Sequence, residues 1–239
     1  FLLALPALGV AAAAYGSASA GSGAAAPALA AAECAVFTPA RQRETSPDEA
    51  LRMLVEGNER FVAGRTIRCD LRAQVRETAA GQAPFAAIVG CIDSRVPPEL
   101  VFDQRIGDVF CARIAGNFVN DDILGSLEFA TRLSGARLVV VLGHSECGAV
   151  KGAIDGAKLG YLTAMLRNFA PAIKAARANG EANSKNKGYV QAVADANAKL
   201  AAAQITSRIE VLRSMVAKKE LRVVSAMHDV TTGRVSFVG

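Results

Sequence analysis

The chain has 239 residues, a net charge of +5, 51% hydrophobic residues, five cysteines, two histidines and no tryptophan. The positive excess is modest and comes without a basic run or interleaved aromatics, so a nucleic-acid partner is excluded. Once an atypical N-terminal stretch is set aside, roughly two hundred residues remain, enough for a single α/β core.

Residues 1–33 read as an export-signal-like segment. Phe1 through Ala14 is apolar and uncharged, and Ala-x-Ala sites such as Ala28-Leu29-Ala30 follow, the pattern of an apolar core and cleavage zone. The stretch is too short and too rich in Ala and Gly for a stable membrane span. It begins at Phe, so the positively charged start of such a signal is expected upstream. Export to a bacterial periplasm is the first expectation, and the thylakoid or another plastid lumen the second.

Residues 34–239 read as one domain. Cys34 and Cys69 lie ahead of its core, and in an oxidising compartment they either pair or remain free thiols. Ser46-Pro47-Asp48-Glu49 is a capping box with proline at the first helical position. The helix it starts carries Leu51, Leu54 and Phe61 and is closed by Gly64. Phe85 to Gly90 is a short apolar run that reads as a buried parallel strand. A second strand is expected from Asp108 to Ile114, with Cys111 as inert core, then a helix from Asp122 to Ser134.

Arg137 to Gly143 is another buried strand, richer in β-branched residues. Helices are expected from Leu159 to Ala178 and from Tyr189 to Ala217, the latter with Val193, Leu200, Ile205, Ile209, Leu212 and Val216 on one face. Leu221 to Met227 is a strand ending at His228, read as a surface histidine. The turn Thr231-Thr232-Gly233 leads into an edge strand, Arg234 to Val238. The fold class is α/β: a central, mostly parallel β-sheet flanked by helices, with an antiparallel C-terminal edge strand and an N-terminal helical arm.

Two strand ends carry the chemistry. Cys91-Ile92-Asp93-Ser94-Arg95 follows the first strand, and His144-Ser145-Glu146-Cys147 follows the third, His144 standing fifty-three positions after Cys91. The carboxyl edge is where open α/β sheets place ligands. His144 and Cys147 are spaced to share the first turn of a following helix. Singly, Cys91 would be a small core hydrophobe and His144 a hydrogen-bonded bystander. Together, two thiolates and an imidazole make three ligands for zinc and leave a fourth position open, a catalytic stoichiometry.

The sequence resembles the β-class carbonic anhydrases from about Pro47 to the Thr232-Gly233 turn. The resemblance rests on Cys91-Ile92-Asp93-Ser94-Arg95-Val96-Pro97-Pro98-Glu99, on Arg113-Ile114-Ala115-Gly116-Asn117, and on Gly143-His144-Ser145-Glu146-Cys147-Gly148-Ala149-Val150. It implies one Zn2+ per chain on Cys91, His144 and Cys147, and the reversible hydration of carbon dioxide to bicarbonate. It further implies that Asp93 orients the attacking oxygen and that Arg95 keeps Asp93 off the metal.

For substrate contacts the resemblance points to Gln82, Phe110, Phe129 and the N–H of Gly148; core packing accounts equally well for the two phenylalanines. The family's cleft is shared between subunits, which implies a homodimer or a higher even oligomer. Ile92 and Arg105 depart from the family's usual residues. One subgroup has a regulatory bicarbonate pocket built on a tryptophan; Ile88 stands there instead, although Arg113 matches that pocket's arginine. Two alternatives use the same zinc site: hydrolysis of carbon disulfide or carbonyl sulfide, and a non-enzymatic zinc-stabilised scaffold.

Overall fold

The computed structural model describes residues 34–238. The export-signal-like segment lies outside the described residues. Within them no helix is long and apolar enough to cross a membrane.

In chain order the elements are helices α1 (Pro39–Glu44), α2 (Pro47–Val62) and α3 (Leu71–Thr78), strand β1 (Ala86–Gly90), helix α4 (Pro98–Val101), strand β2 (Val109–Arg113), helix α5 (Asp121–Glu128), strand β3 (Leu138–His144), helices α6 (Gly148–Ile154), α7 (Gly160–Leu166), α8 (Ala170–Ala175), α9 (Lys187–Arg208) and α10 (Glu210–Ala217), and strands β4 (Arg222–His228) and β5 (Val235–Val238). The sheet runs β2-β1-β3-β4-β5. Its first three pairings are parallel and β4–β5 is antiparallel, which is the α/β architecture expected.

Every residue of β1 and β3 is buried, as continuous apolar runs in a sheet covered on both faces must be. Strand alternation divides them between two cores. Ile88, Val140 and Leu142 pack with Leu54, Phe85 and Phe102 on one face. Val89, Val139 and Val141 pack with Leu127, Ile205 and Leu212 on the other. A third cluster, with Phe118, Val150, Phe169 and Val193, surrounds Cys91 and Cys147 at the carboxyl end of the sheet.

Local signals place the first long helix as expected. Ser46 Oγ accepts the Glu49 N–H at 3.1 Å, Pro47 stands at the first helical position, and Gly64 takes φ +65° just past the end. Cys34 and Cys69 form a disulfide with Cα atoms 5.5 Å apart, so the pairing left open by the sequence is made. It ties the start of the described chain to the turn before α3.

Three helical expectations change. The long helix of residues 189–217 is interrupted at Ile209, whose backbone is extended at φ −108° and ψ 103°. Ile209 and Leu212 stay buried on either side of the break, at 4% and 0% exposure. The helix of residues 159–178 is three shorter pieces, α7, a 3-10 turn at Arg167–Phe169, and α8. Pro171, in the first turn of α8, lacks the N–H that a continuous helix needs. The helix expected to Ser134 continues past α5 as a π-helical stretch, Phe129–Leu133.

Candidate metal centre

Parallel pairing sets β1 and β3 side by side, with Gly90 opposite Leu142, so the residues leaving both strands emerge at one edge. Cys91 follows β1 directly. His144 is the last residue of β3, and Cys147 is the N-cap of α6. The two therefore do not share a helical turn as the spacing suggested. Between them a tight turn is made by Glu146 at φ +56°. It is held by Ser145, whose N–H donates to His228 O at 2.9 Å and whose Oγ accepts the Val230 N–H at 3.0 Å.

The result brings Cys91 Sγ, a ring nitrogen of His144 and Cys147 Sγ within 4.8 Å of one another, all three residues buried. His144 Nδ1 lies 2.9 Å from Ser145 O, so Nδ1 carries the proton and Nε2 keeps its lone pair. That Nε2 is buried with no hydrogen-bond partner, a costly state for a polar atom unless something else coordinates it. An orphaned imidazole nitrogen facing two sulfurs fits zinc.

Of the two sulfur atoms, that of Cys91 is prepared for ionisation. The Cys91 thiol is held well below its ordinary value, first by the hydrogen bond from Cys147 and further by His144 and the Gly116 N–H, against its burial. Cys147 is pushed up in turn, because its proton is held against the Cys91 thiolate and burial penalises a second negative charge. A cation between the two would remove that conflict, since zinc ligands bind as thiolates.

Asp93 and Arg95 meet at the rim. Asp93 Oδ1 accepts from Arg95 Nε at 2.9 Å and from its backbone N–H at 3.0 Å, while Oδ2 accepts from Nη2 at 2.8 Å. Oδ2 also lies 3.8 Å from His144 Nε2. The guanidinium holds the carboxyl well below the usual carboxylate range.

Arg113, at the end of β2, donates from Nε to Cys91 O at 2.8 Å and from Nη2 to Asp93 O at 2.7 Å. It clamps the main chain on both sides of Ile92. The sequence marked Arg113 for a different pocket and gave no sign of this clamp.

The four substrate-contact candidates separate. Gly148 is the first residue of α6, next to Cys147. Gln82 is exposed and precedes β1; from Phe85 to Gly90 alone the strand rises ~17 Å, so Gln82 stands at the opposite end of the sheet from its own Cys91. Phe110 pairs with Ala87 in register and meets Phe129 edge-on at 6.2 Å. Both line a groove of about 810 Å³ along the free edge of β2 and α5, which none of the three candidate ligands lines.

His228, expected at the surface, is 3% exposed with neither ring nitrogen partnered. It stands opposite His144 in the β3–β4 register and opposite Val235 on β5. The terminal hairpin covers it, and burial followed by the nearby His144 lowers its pKa.

The chain is similar to known proteins. The family model described as carbonic anhydrase matches residues 86–235. Carbonic anhydrase 2 of Mycobacterium tuberculosis is 44% identical over 145 residues, covering 57% of this chain and 69% of the relative. A carbonic anhydrase of Mycolicibacterium smegmatis is 37% identical over 142 residues, with the same two coverages. Among solved structures, a β-carbonic anhydrase of Aspergillus fumigatus superposes with a TM-score of 0.61 at 26% identity, over 70% of this chain and 81% of that one. One of two tetrameric β-carbonic anhydrases from Sordaria macrospora superposes with the same TM-score and identity, over 69% and 85%. A match across both ligand-bearing strand ends, on a sheet of the same fold, places this chain in the β-class carbonic anhydrase family.

Proposed function

We propose that this carbonic anhydrase works with one Zn2+ per chain, held by Cys91, His144 and Cys147. The observation that carries the assignment is the buried, unpartnered His144 Nε2 facing two cysteine sulfurs. When bound, zinc supplies a Lewis acid that brings the ionisation of water near neutral pH. The chain's residues do the rest. Asp93 accepts a hydrogen bond from the attacking oxygen and aims its lone pair at carbon dioxide. Arg95 occupies both carboxylate oxygens of Asp93, so the carboxylate does not drift towards the ligands. The N–H of Gly148, at the start of α6, faces the developing negative oxygen of bicarbonate.

Gln82, Phe110 and Phe129 serve the site of a partner subunit in this reading, because they lie away from their own chain's ligands. A homodimer is the smallest assembly that satisfies it. Support comes from the edge of β2, unpaired among the described residues, and from Ile92, Leu100, Phe129 and Leu133, each more than half exposed. The tetrameric Sordaria relatives agree with an even assembly. The disulfide supports an oxidising compartment, with the periplasm first and the thylakoid or another plastid lumen second.

Zinc analysis and stopped-flow hydration of the Cys91→Ser variant test the ligand set. Bound zinc and rate should both fall sharply; full metal content with full activity overturns the assignment. Carbon disulfide and carbonyl sulfide, run beside carbon dioxide, decide whether hydrolysis of those substrates is the main reaction.

A further inference from the structure

Asn197 is a polar residue on a helix face built for packing. On α9 it is 4% exposed, among the buried Val193, Ala194, Ala198 and Ala201. Burying an amide among small apolar side chains costs free energy unless it is hydrogen-bonded, and an apolar residue of similar size would pack there without that cost. Its Nδ2 donates to Gly116 O at 2.7 Å, a buried bond across 81 residues of sequence.

The atom it holds belongs to a strained turn. Gly116 takes φ +84° and Asn117 φ +47°, two successive left-handed residues, of which only the first is glycine. The turn is also pinned by the Asn117 N–H on Ile114 O at 3.0 Å. On its other side Phe169 presses so closely that a Cβ on Gly116 would stand 2.2 Å from its ring. The output of this clamped turn is one N–H: that of Gly116, which donates to Cys91 Sγ at 3.1 Å.

We propose that Asn197 is a positioning residue for the metal centre, holding the Gly116 turn so that its N–H stays on the Cys91 sulfur. The hydrogen bond fixes the direction of the sulfur lone pairs and draws charge from the thiolate, which sets how strongly Cys91 donates to a metal. Hydrogen-bond partners of metal ligands of this kind typically change metal affinity roughly 10–100-fold when removed. The proposal rests on Cys91 being a ligand.

The test uses the full chain, stripped of metal and titrated with zinc against a chelator and separately with cobalt(II). Asn197→Leu, similar in size and without a donor, should weaken zinc binding roughly 10–100-fold, shift the thiolate-to-cobalt charge-transfer band and speed exchange of the Gly116 amide. Ile205→Val, a buried change on the same helix, should lower thermal stability and move neither the affinity nor the band. Asn197→Leu with zinc affinity within about twofold of wild type and an unshifted band overturns the proposal. Should Asn197→Leu not fold, Asn197→Ser is read the same way; if neither folds, Asn197 is structural and the proposal fails. Cys91→Ser separates the two ideas, since a Cys91→Ser protein with an unchanged band and unchanged zinc affinity sinks the ligand assignment itself.

Discussion

Asp93 and Arg95 form a two-pronged ion pair whose carboxylate stands 3.8 Å from His144 Nε2. Both Asp93 oxygens are taken by Arg95, and the carboxylate therefore stays ionised and is held beyond hydrogen-bond distance of the nitrogen that would hold zinc. Arg95→Ala frees it. Zinc content should remain at one per chain while hydration falls roughly 10–100-fold. A zinc-replete variant with wild-type kinetics across pH removes the gating role from Arg95.

The same pair has a pH signature. Its folded-state pKa is depressed by Arg95, so its contribution to stability is present above the unfolded carboxyl value, near 3.9, and is lost as pH falls through the folded value. Thermal melts from pH 2 to pH 7 should show this difference between wild type and Asp93→Asn at its full size above about pH 5 and shrinking progressively as pH falls below about 4. A difference that instead appears only below that pH would contradict the assignment.

Bicarbonate should act as product and simple competitor only. Ile88 is fully buried, and the Arg113 Nε and Nη2 donors are given to Cys91 O and Asp93 O, which draws the guanidinium onto the main chain instead of a second anion. Initial rates at rising bicarbonate should fit competitive inhibition without cooperativity. Sigmoidal inactivation would show that a second bicarbonate site forms.

Removing the disulfide should cost stability. Cys34 and Cys69 are 35 residues apart, and closing a loop of that length stabilises by up to about 4 kcal/mol in the chain-entropy estimate. Cys34→Ser should therefore melt roughly 8–15 °C lower, with hydration at 25 °C unchanged. Equal melting points with and without reductant would mean that the bridge contributes nothing.

Dilution should abolish activity before it removes metal, because Gln82 and Phe110 lie away from their own chain's ligands. Light scattering at assay concentration gives the assembly, and zinc analysis the occupancy. A fully active monomer overturns both the shared cleft and the assignment of Gln82.

The sequence by itself determined what local patterns encode. The apolar runs ending at Gly90 and Gly143 marked β1 and β3, and the residues just after each run marked the ligand-bearing edge of the sheet. Ser46 and Gly64 marked the two ends of α2, since a capping side chain and a left-handed glycine act within a few residues. The ligand types followed from two cysteines and one histidine on those strand ends.

Only the tertiary structure decided the contacts between distant segments. His228 follows an apolar strand and reads as exposed, but β5 folds back antiparallel and places Val235 opposite it. Ile209 has helical neighbours on both sides and no glycine or proline beside it, yet its backbone is extended and it joins Ile205 and Leu212 in one buried cluster. Arg113 reaches the main chain around Cys91 only because β2 pairs with β1 in a register that sets it opposite Gly90. Asn197 reaches Gly116 across 81 residues because α9 crosses the sheet's carboxyl end. Period and capping are set by near neighbours, whereas register and crossing are set by which surfaces bury one another, and a linear pattern holds no direct record of that.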